Sequence, residues 1–177
     1  MDQHAIGFRP ATEQDQRAIE ALVHSERLNP TGINWPNFLV AATADRVVGA
    51  VQVRKHSDGS RELGSLVVAR DMRGSGIASR LIDRLLADER EPIWMITNEI
   101  YADAYARWGF ERIEPAAAPV KVRFNWRMGR LARIISFLKR QPKRRLVILE
   151  RLPKERRAGL KLLRRPMQQR EAVAPGV

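Results

Sequence analysis

The segment from Leu66 to Ile82 constrains the fold of this chain more than any other. Leu66-Val67-Val68 reads as the end of a strand, Ala69 to Arg73 as a short turn, Gly74-Ser75-Gly76 as a glycine loop, and Ile77 onward as an amphipathic helix. A chain that passes from strand to helix through glycines turns several backbone N–H groups toward one point. The positive end of the helix dipole stands behind them, so the loop is built to receive phosphate oxygens. Gly74 and Gly76 let a ligand approach the backbone with no Cβ in the way.

Two common phosphate folds do not fit. Ser79 stands where a dinucleotide fingerprint needs its third glycine, and no Gly-Lys-Ser/Thr follows, which excludes a Walker loop. The preceding segments, Phe38–Thr43, Arg46–His56 and Arg61–Val68, read as three strands joined by Ala44-Asp45 and by Ser57-Asp58-Gly59-Ser60. The loop therefore follows an antiparallel meander, not the first strand of a parallel sheet.

A second stretch narrows the ligand. Asn98, Tyr105, Gly109 and Phe110 recur at the spacing Asn, then about seven residues to Tyr, then Gly-Phe. With these residues the chain resembles the GNAT superfamily of acyl-CoA-dependent N-acetyltransferases. That family's pyrophosphate loop, Arg/Gln-x-x-Gly-x-Gly/Ala, is matched by Arg73-Gly74-Ser75-Gly76-Ile77-Ala78. The turn from Asp58 to Leu63 also looks like that of a bacterial and plastid-type subgroup of unknown substrate. The resemblance covers roughly residues 5 to 150.

The order of elements agrees with such a fold. Ala5–Arg9 reads as a strand, and Thr12 caps a helix from Glu13 to about Arg27, with Asp15 completing a partial capping box. Ile19, Leu22 and Val23 form its apolar stripe. The helix from Ser75 to Asp88 buries Ile77, Leu81, Ile82 and Leu85. Pro92–Thr97 is a strand, Ile100–Arg107 a short helix ended by Gly109, and Phe110–Ile113 a strand. Residues 115–119, two prolines and three alanines, read as a linker. Phe124–Arg140 reads as a helix with Met128, Leu131, Ile134, Ile135 and Leu138 on one side, and Arg145–Glu150 as the last strand. The resemblance implies an α/β (α+β) fold. Its centre is a mixed, mostly antiparallel sheet of about seven strands, the fourth and fifth splayed, with flanking helices. On this resemblance, residues 5–152 are expected to form the N-acetyltransferase domain and 153–177 a basic C-terminal tail.

Site residues follow from the same resemblance. Backbone groups of Leu66, Val67 and Val68 are expected to pair with pantetheine as an added strand would. The amides of Gly74, Ser75, Gly76, Ile77 and Ala78 are expected to take the pyrophosphate, with Arg73 adding charge and Ser79 a hydroxyl. Arg73 also reads as an exposed turn residue, and Ser79 as a solvent-facing one. Asn98 bonds either pantetheine or the N-terminus of its own short helix.

Tyr105 matches the family tyrosine near the sulfur, where a phenol can protonate a leaving thiolate; the alternative is core packing. Glu62, eleven residues before Arg73, stands where some members carry a general base. Strand parity groups it with Gly64, Leu66 and Val68, opposite Leu63, Ser65 and Val67. Its alternative role is a cross-strand partner for Arg54 or Arg46. Trp35 and Phe38 lie in the segment that shapes the acceptor pocket in this family. His4, His24 and His56 show no metal-ligand spacing and read as solvated or structural, so no metal is expected.

The chain holds no cysteine, which excludes disulfides, a cysteine nucleophile and an acyl-cysteine route. With no signal pattern and no apolar run near twenty residues, the expectation is a soluble cytoplasmic protein. Charge is unevenly spread. Residues 1–119 carry 14 basic and 17 acidic side chains, net −3, while residues 120–177 carry 18 and 3, net +15. The basic region reads as a solvated appendage, as a contact for RNA phosphates, or as an amphipathic helix on anionic membrane. Homodimers are common in the resembling family, and nothing in the sequence specifies an interface.

The functional expectation is transfer of an acetyl group from acetyl-CoA, a cosubstrate, to a primary amine by direct attack in a ternary complex. The amine belongs to a small molecule or a peptide. The alternative is a non-catalytic acyl-CoA-binding protein of the same fold, held to RNA or membrane by its basic region.

Overall fold

The structure, a computed structural model, describes residues 5–26, 28–136, 145–153 and 156. Its strands are β1 (Gly7–Pro10), β2 (Phe38–Ala42), β3 (Val47–Lys55), β4 (Arg61–Val68), β5 (Ile93–Asn98), β6 (Phe110–Ile113) and β7 (Leu146–Arg151). Its helices are α1 (Gln16–Ser25), α2 (Ile77–Ala87), α3 (Glu99–Ala102) and α4 (Val120–Ser136). The strands form one sheet in the order β1-β2-β3-β4-β5-β7-β6. Every pairing is antiparallel except β4 with β5, as the expected fold class requires.

Asp15 locks the entry to α1. Its carboxylate accepts from the Thr12 amide at 2.7 Å, from the Thr12 hydroxyl at 2.9 Å and from the Arg9 guanidinium at 2.6 and 3.0 Å. The Arg9 bond, helped by the Thr12 bonds and outweighing burial, which pushes the other way, holds the Asp15 pKa down to about 2 from its ordinary 3.8. The folded pKa lies below the unfolded one, so this stabilisation is complete above about pH 4 and is lost as pH falls toward 2. Urea midpoints of the wild type and Asp15→Asn should therefore differ clearly at neutral pH and converge in acid.

Two apolar layers sandwich the sheet. On one face, Val48, Val51, Leu63, Ile93, Met95, Val147 and Leu149 pack against Ile77, Leu81, Ile82 and Leu86 of α2. Leu86, not Leu85, is the deeply buried residue of that turn. The other face carries two separate patches. Val40, Ala50 and Val67 pack under Ile19 and Val23 of α1, while Ile148 packs under Ala118 and Val122, with Trp94 and Trp126 beside them.

Gly49 lets α2 lie close on β3. A Cβ there would come within 3.0 Å of Ile77 Cγ2, 3.1 Å of Leu81 Cδ1 and 3.3 Å of the Val67 carbonyl. Those neighbours are themselves fully packed, so Gly49→Val should lower stability by about 2 kcal/mol, read as a shifted denaturant midpoint with unchanged slope.

Several expectations are corrected. Residues 115–119 are not a linker: Pro115–Ala117 forms a single 3-10 turn, Ala118 is buried, and α4 begins at Val120 rather than Phe124. The Asp58 carboxylate accepts from the Lys121 amide at 2.9 Å and so satisfies an open N–H at that helix end. Met128 and Leu131 do not face the core; Val122 and Trp126 do. The segment after α3 is a 3-10 helix, Asp103–Trp108. The side chains of Ile134, Ile135 and Leu138, the end of the first helix at Arg27, and nearly all of the 153–177 tail lie outside the described residues.

Strand parity on β4 is also corrected. Gln52 pairs with Gly64 and Ala50 with Val67, so β4 carries one extra residue opposite Val51. Ser65 holds a positive φ of 51° at this bulge. Beyond it the faces exchange: Leu63 faces α2 before the bulge, Leu66 and Val68 face α2 after it, and Val67 faces α1.

Candidate functional site

β4 and β5 pair only at Glu62–Trp94 and Leu63–Met95. Among the described residues, β4 has no partner on that side from Gly64 onward, while β5 continues along β7 to Asn98. The sheet therefore opens as a wedge toward the C-terminal ends of these two parallel strands. Unpaired strand edges offer backbone N–H and C=O groups to an extended ligand. The bulge at Ser65 sits where the wedge begins.

The glycine loop closes the mouth of the wedge. Gly74 and Gly76 take left-handed φ of 82° and 78°, and a Cβ at either would meet nothing within 4 Å. Among the described residues, the backbone N–H groups of Gly74 through Ser79 find no backbone acceptor. They share the N-terminus of α2, where the helix dipole adds positive potential. These are the amides that the sequence expectation assigned to the pyrophosphate.

Its side chains differ in role. Arg73 is half-exposed, bonds the Val68 carbonyl at 3.3 Å and pairs with Glu26 at 2.7 Å. Ser79 Oγ accepts a short hydrogen bond from Arg107, whose guanidinium lies 3.8 Å from the Trp108 ring centroid. Arg107 thus brings a cation from the β5 side of the wedge to the loop on the β4 side. No sequence pattern marks this contact, which depends on how the two lips approach each other.

On the opposite face, the seam between the α1 and α4 patches is polar. Glu62 is only 4% exposed. Its Oε1 accepts from Arg54 at 3.1 Å; its Oε2 accepts from Asn125 Nδ2 at 2.9 Å and lies 3.0 Å from His56 Nε2. Arg54 also bonds the Thr31 carbonyl at 3.1 Å, tying the seam to the turn before Trp35. Its guanidinium lies over Gly64, where a Cβ would stand 2.5 Å from Nη2. Gln52, fully buried, donates to Ser65 Oγ at 2.9 Å, and its Oε1 is buried with no partner among the described residues, as is Arg54 Nε. Buried polar atoms of this kind are normally met by water or by a ligand.

The Arg54 ion pair realises the cross-strand reading of Glu62. His56, read as solvated or structural, belongs to the same cluster, and Asn125 joins it from a segment that no motif marks. Asn98 accepts from the Ile100 amide at 3.3 Å and so caps α3, one of its two expected roles. Tyr105 packs beside Trp108 and Phe110, with ring centroids 5.9 and 6.2 Å away, on the α2 side of the sheet. Burial pushes its phenol pKa up, so it keeps its proton. Trp35 is half-buried at the edge of the α1 patch, with its amide bonded to Gln16 at 2.9 Å. Phe38 is 3% exposed and packed in the core beneath α1, so it presents no surface to an acceptor here. No cluster of candidate metal ligands occurs among the described residues.

Comparison with known proteins gives a coherent result. Residues 34–112 match the family model described as an acetyltransferase (GNAT) domain. The N-acetylglutamate synthase of Neisseria gonorrhoeae, complexed with coenzyme A and L-arginine, superposes with a TM-score of 0.63 at 16% identity, over 84% of this chain and 33% of that one. Rv2747 from Mycobacterium tuberculosis, in complex with CoA, gives 0.59 at 24% identity over 82% and 98%. Ard1 from Thermoplasma volcanium gives 0.57 at 15% over 84% and 98%. The chain thus spans 33% of the synthase's length. A search of curated protein sequences gives no match. At these identities the structural likeness establishes the fold.

Proposed function

We propose that this chain, which carries a GNAT acetyltransferase domain on the GNAT fold, transfers an acetyl group from acetyl-CoA to a primary amine. The observation that carries this reading is the row of free amides from Gly74 to Ser79 at the mouth of the β4–β5 wedge. The amides receive the pyrophosphate, and the open edge of β4 from Gly64 to Val68 pairs with the amide groups of pantetheine. Arg107, already bonded to Ser79, adds positive charge beside the phosphates.

The donor then extends through the wedge toward the polar seam on the other face. Free backbone donors on β4 favour the negative charge that develops on the thioester oxygen. Tyr105, kept protonated, supplies a proton to the departing thiolate. The amine attacks directly, since no cysteine can hold the acyl group. It enters on the side of Trp35, Glu62 and Asn125, where the unpartnered Gln52 Oε1 and Arg54 Nε mark room for ordered water. Glu62 takes the amine's proton through such water or serves only to fix Arg54.

Thiol release from acetyl-CoA should be followed over amino acids, polyamines, aminoglycosides and peptides with free N-termini or lysines. Release that depends on one amine class supports the reading. Coenzyme A binding without release on any amine would favour a non-catalytic acyl-CoA-binding protein. Glu62→Gln should move the acid limb of the pH–rate profile if Glu62 is the base; an unmoved limb would leave it the ion-pair role.

A further inference from the structure

We propose that α4 is an in-plane docking helix that seats this protein on an anionic lipid surface. The inner face of the helix is already accounted for. Val122 is fully buried, Trp126 Nε1 donates to the Leu146 carbonyl at 3.0 Å, Asn125 reaches Glu62, and a Cβ on Gly129 would lie 3.2 Å from Leu146 Cδ1. The outer face nevertheless carries a second apolar stripe. Val120, Phe124, Met128 and Leu131 recur every three or four residues and are 62%, 56%, 46% and 49% exposed. Nothing among the described residues covers them.

Charge selects the occupant. Lys121, Arg127 and Arg130 border the stripe and are exposed, and no acidic residue occurs from 120 to 136. An apolar stripe with Phe and Leu, edged on both sides by Lys and Arg, is the pattern of a helix lying in the headgroup boundary of an anionic bilayer. A second copy docking through the same face would bring like charges together. RNA would be served by the cations alone and gains nothing from exposed Val120, Met128 and Leu131. No described helix is long and apolar enough to cross a membrane, so the contact is peripheral.

The test uses the full chain, so that the basic tail is present throughout. Flotation with vesicles of phosphatidylcholine alone, and with phosphatidylserine added, should show binding only to the anionic vesicles and release as salt rises. Phe124→Glu and Leu131→Glu should each weaken vesicle binding by at least about tenfold. Far-UV circular dichroism and coenzyme A affinity should stay unchanged, because these side chains touch neither the core nor the glycine loop. Absence of binding to anionic vesicles at low ionic strength would overturn the proposal. So would binding that Phe124→Glu leaves intact, which would put the attraction in charge outside the stripe. Binding to single-stranded or duplex RNA that Phe124→Glu abolishes would make the stripe an RNA contact. A dimer in light scattering that the same substitution dissociates would make it a subunit interface.

Discussion

Gly76→Asp should lower coenzyme A affinity by at least about tenfold in calorimetry, roughly 1.4 kcal/mol, with the fold retained. Gly76 has a left-handed φ of 78° and an open space where a Cβ would go, so the replacement meets no neighbour. Backbone strain at that φ costs about 1–2 kcal/mol, the low end applying to Asp, which tolerates the region better than most residues. The functional cost has two parts. The new carboxylate occupies the same amides from Gly74 to Ser79 that would hold the pyrophosphate, and it repels the phosphates by charge. Gly76→Asn has a similar shape without the charge and should lose much less affinity. Unchanged binding in Gly76→Asp would move the cofactor away from this loop.

Tyr105→Phe should reduce kcat by about a hundredfold while leaving coenzyme A affinity nearly unchanged. Phenylalanine keeps the ring contacts with Trp108 and Phe110, so packing is preserved. Only the hydroxyl is lost, and it is needed when negative charge builds on sulfur. Because burial raises the phenol's pKa above its ordinary 10, Tyr105 remains a proton donor across the neutral range, and its own titration should not appear in the pH–rate profile there. Loss of affinity with intact turnover would instead make Tyr105 a packing or binding residue.

Ser65 and α4 show where sequence patterns stop being informative. The bulge places Ser65, a non-glycine residue, at positive φ, and the isolated Gly64 before it was the one local hint of a break in the strand. One inserted residue then reversed which side chains of β4 face α1 and α2. On α4 the apolar residues fall on two stripes, Val122 with Trp126 and Phe124 with Met128 and Leu131. Periodicity detects each stripe but cannot say which one meets the sheet. That choice belongs to the neighbours: Asp58 takes the helix's open amide at Lys121, and the Leu146 carbonyl takes the Trp126 indole.

The sequence alone determined the features governed by local backbone chemistry. Glycines before an amphipathic helix dictate the left-handed turn and the open amides at Gly74 to Ser79, Asp58-Gly59 dictates a tight turn, Thr12 with Asp15 dictates a helix start, and the alternation of apolar residues dictates the meander. These depend on residues a few positions apart, so any fold that contains the segment keeps them. Tertiary structure alone decided which distant groups meet. It brought Arg54, His56, Glu62 and Asn125 into one buried cluster, set Arg107 against Ser79, sent Phe38 into the core and left the Phe124 stripe outside. Those outcomes follow from the register of β3 on β4 and from the divergence of β4 and β5, a geometry set by the packing of all seven strands and their helices together. Glu62 and Asn125, 63 residues apart in sequence, are joined by a hydrogen bond from the amide to the carboxylate only because the sheet and α4 hold them there, and no local pattern encodes that proximity.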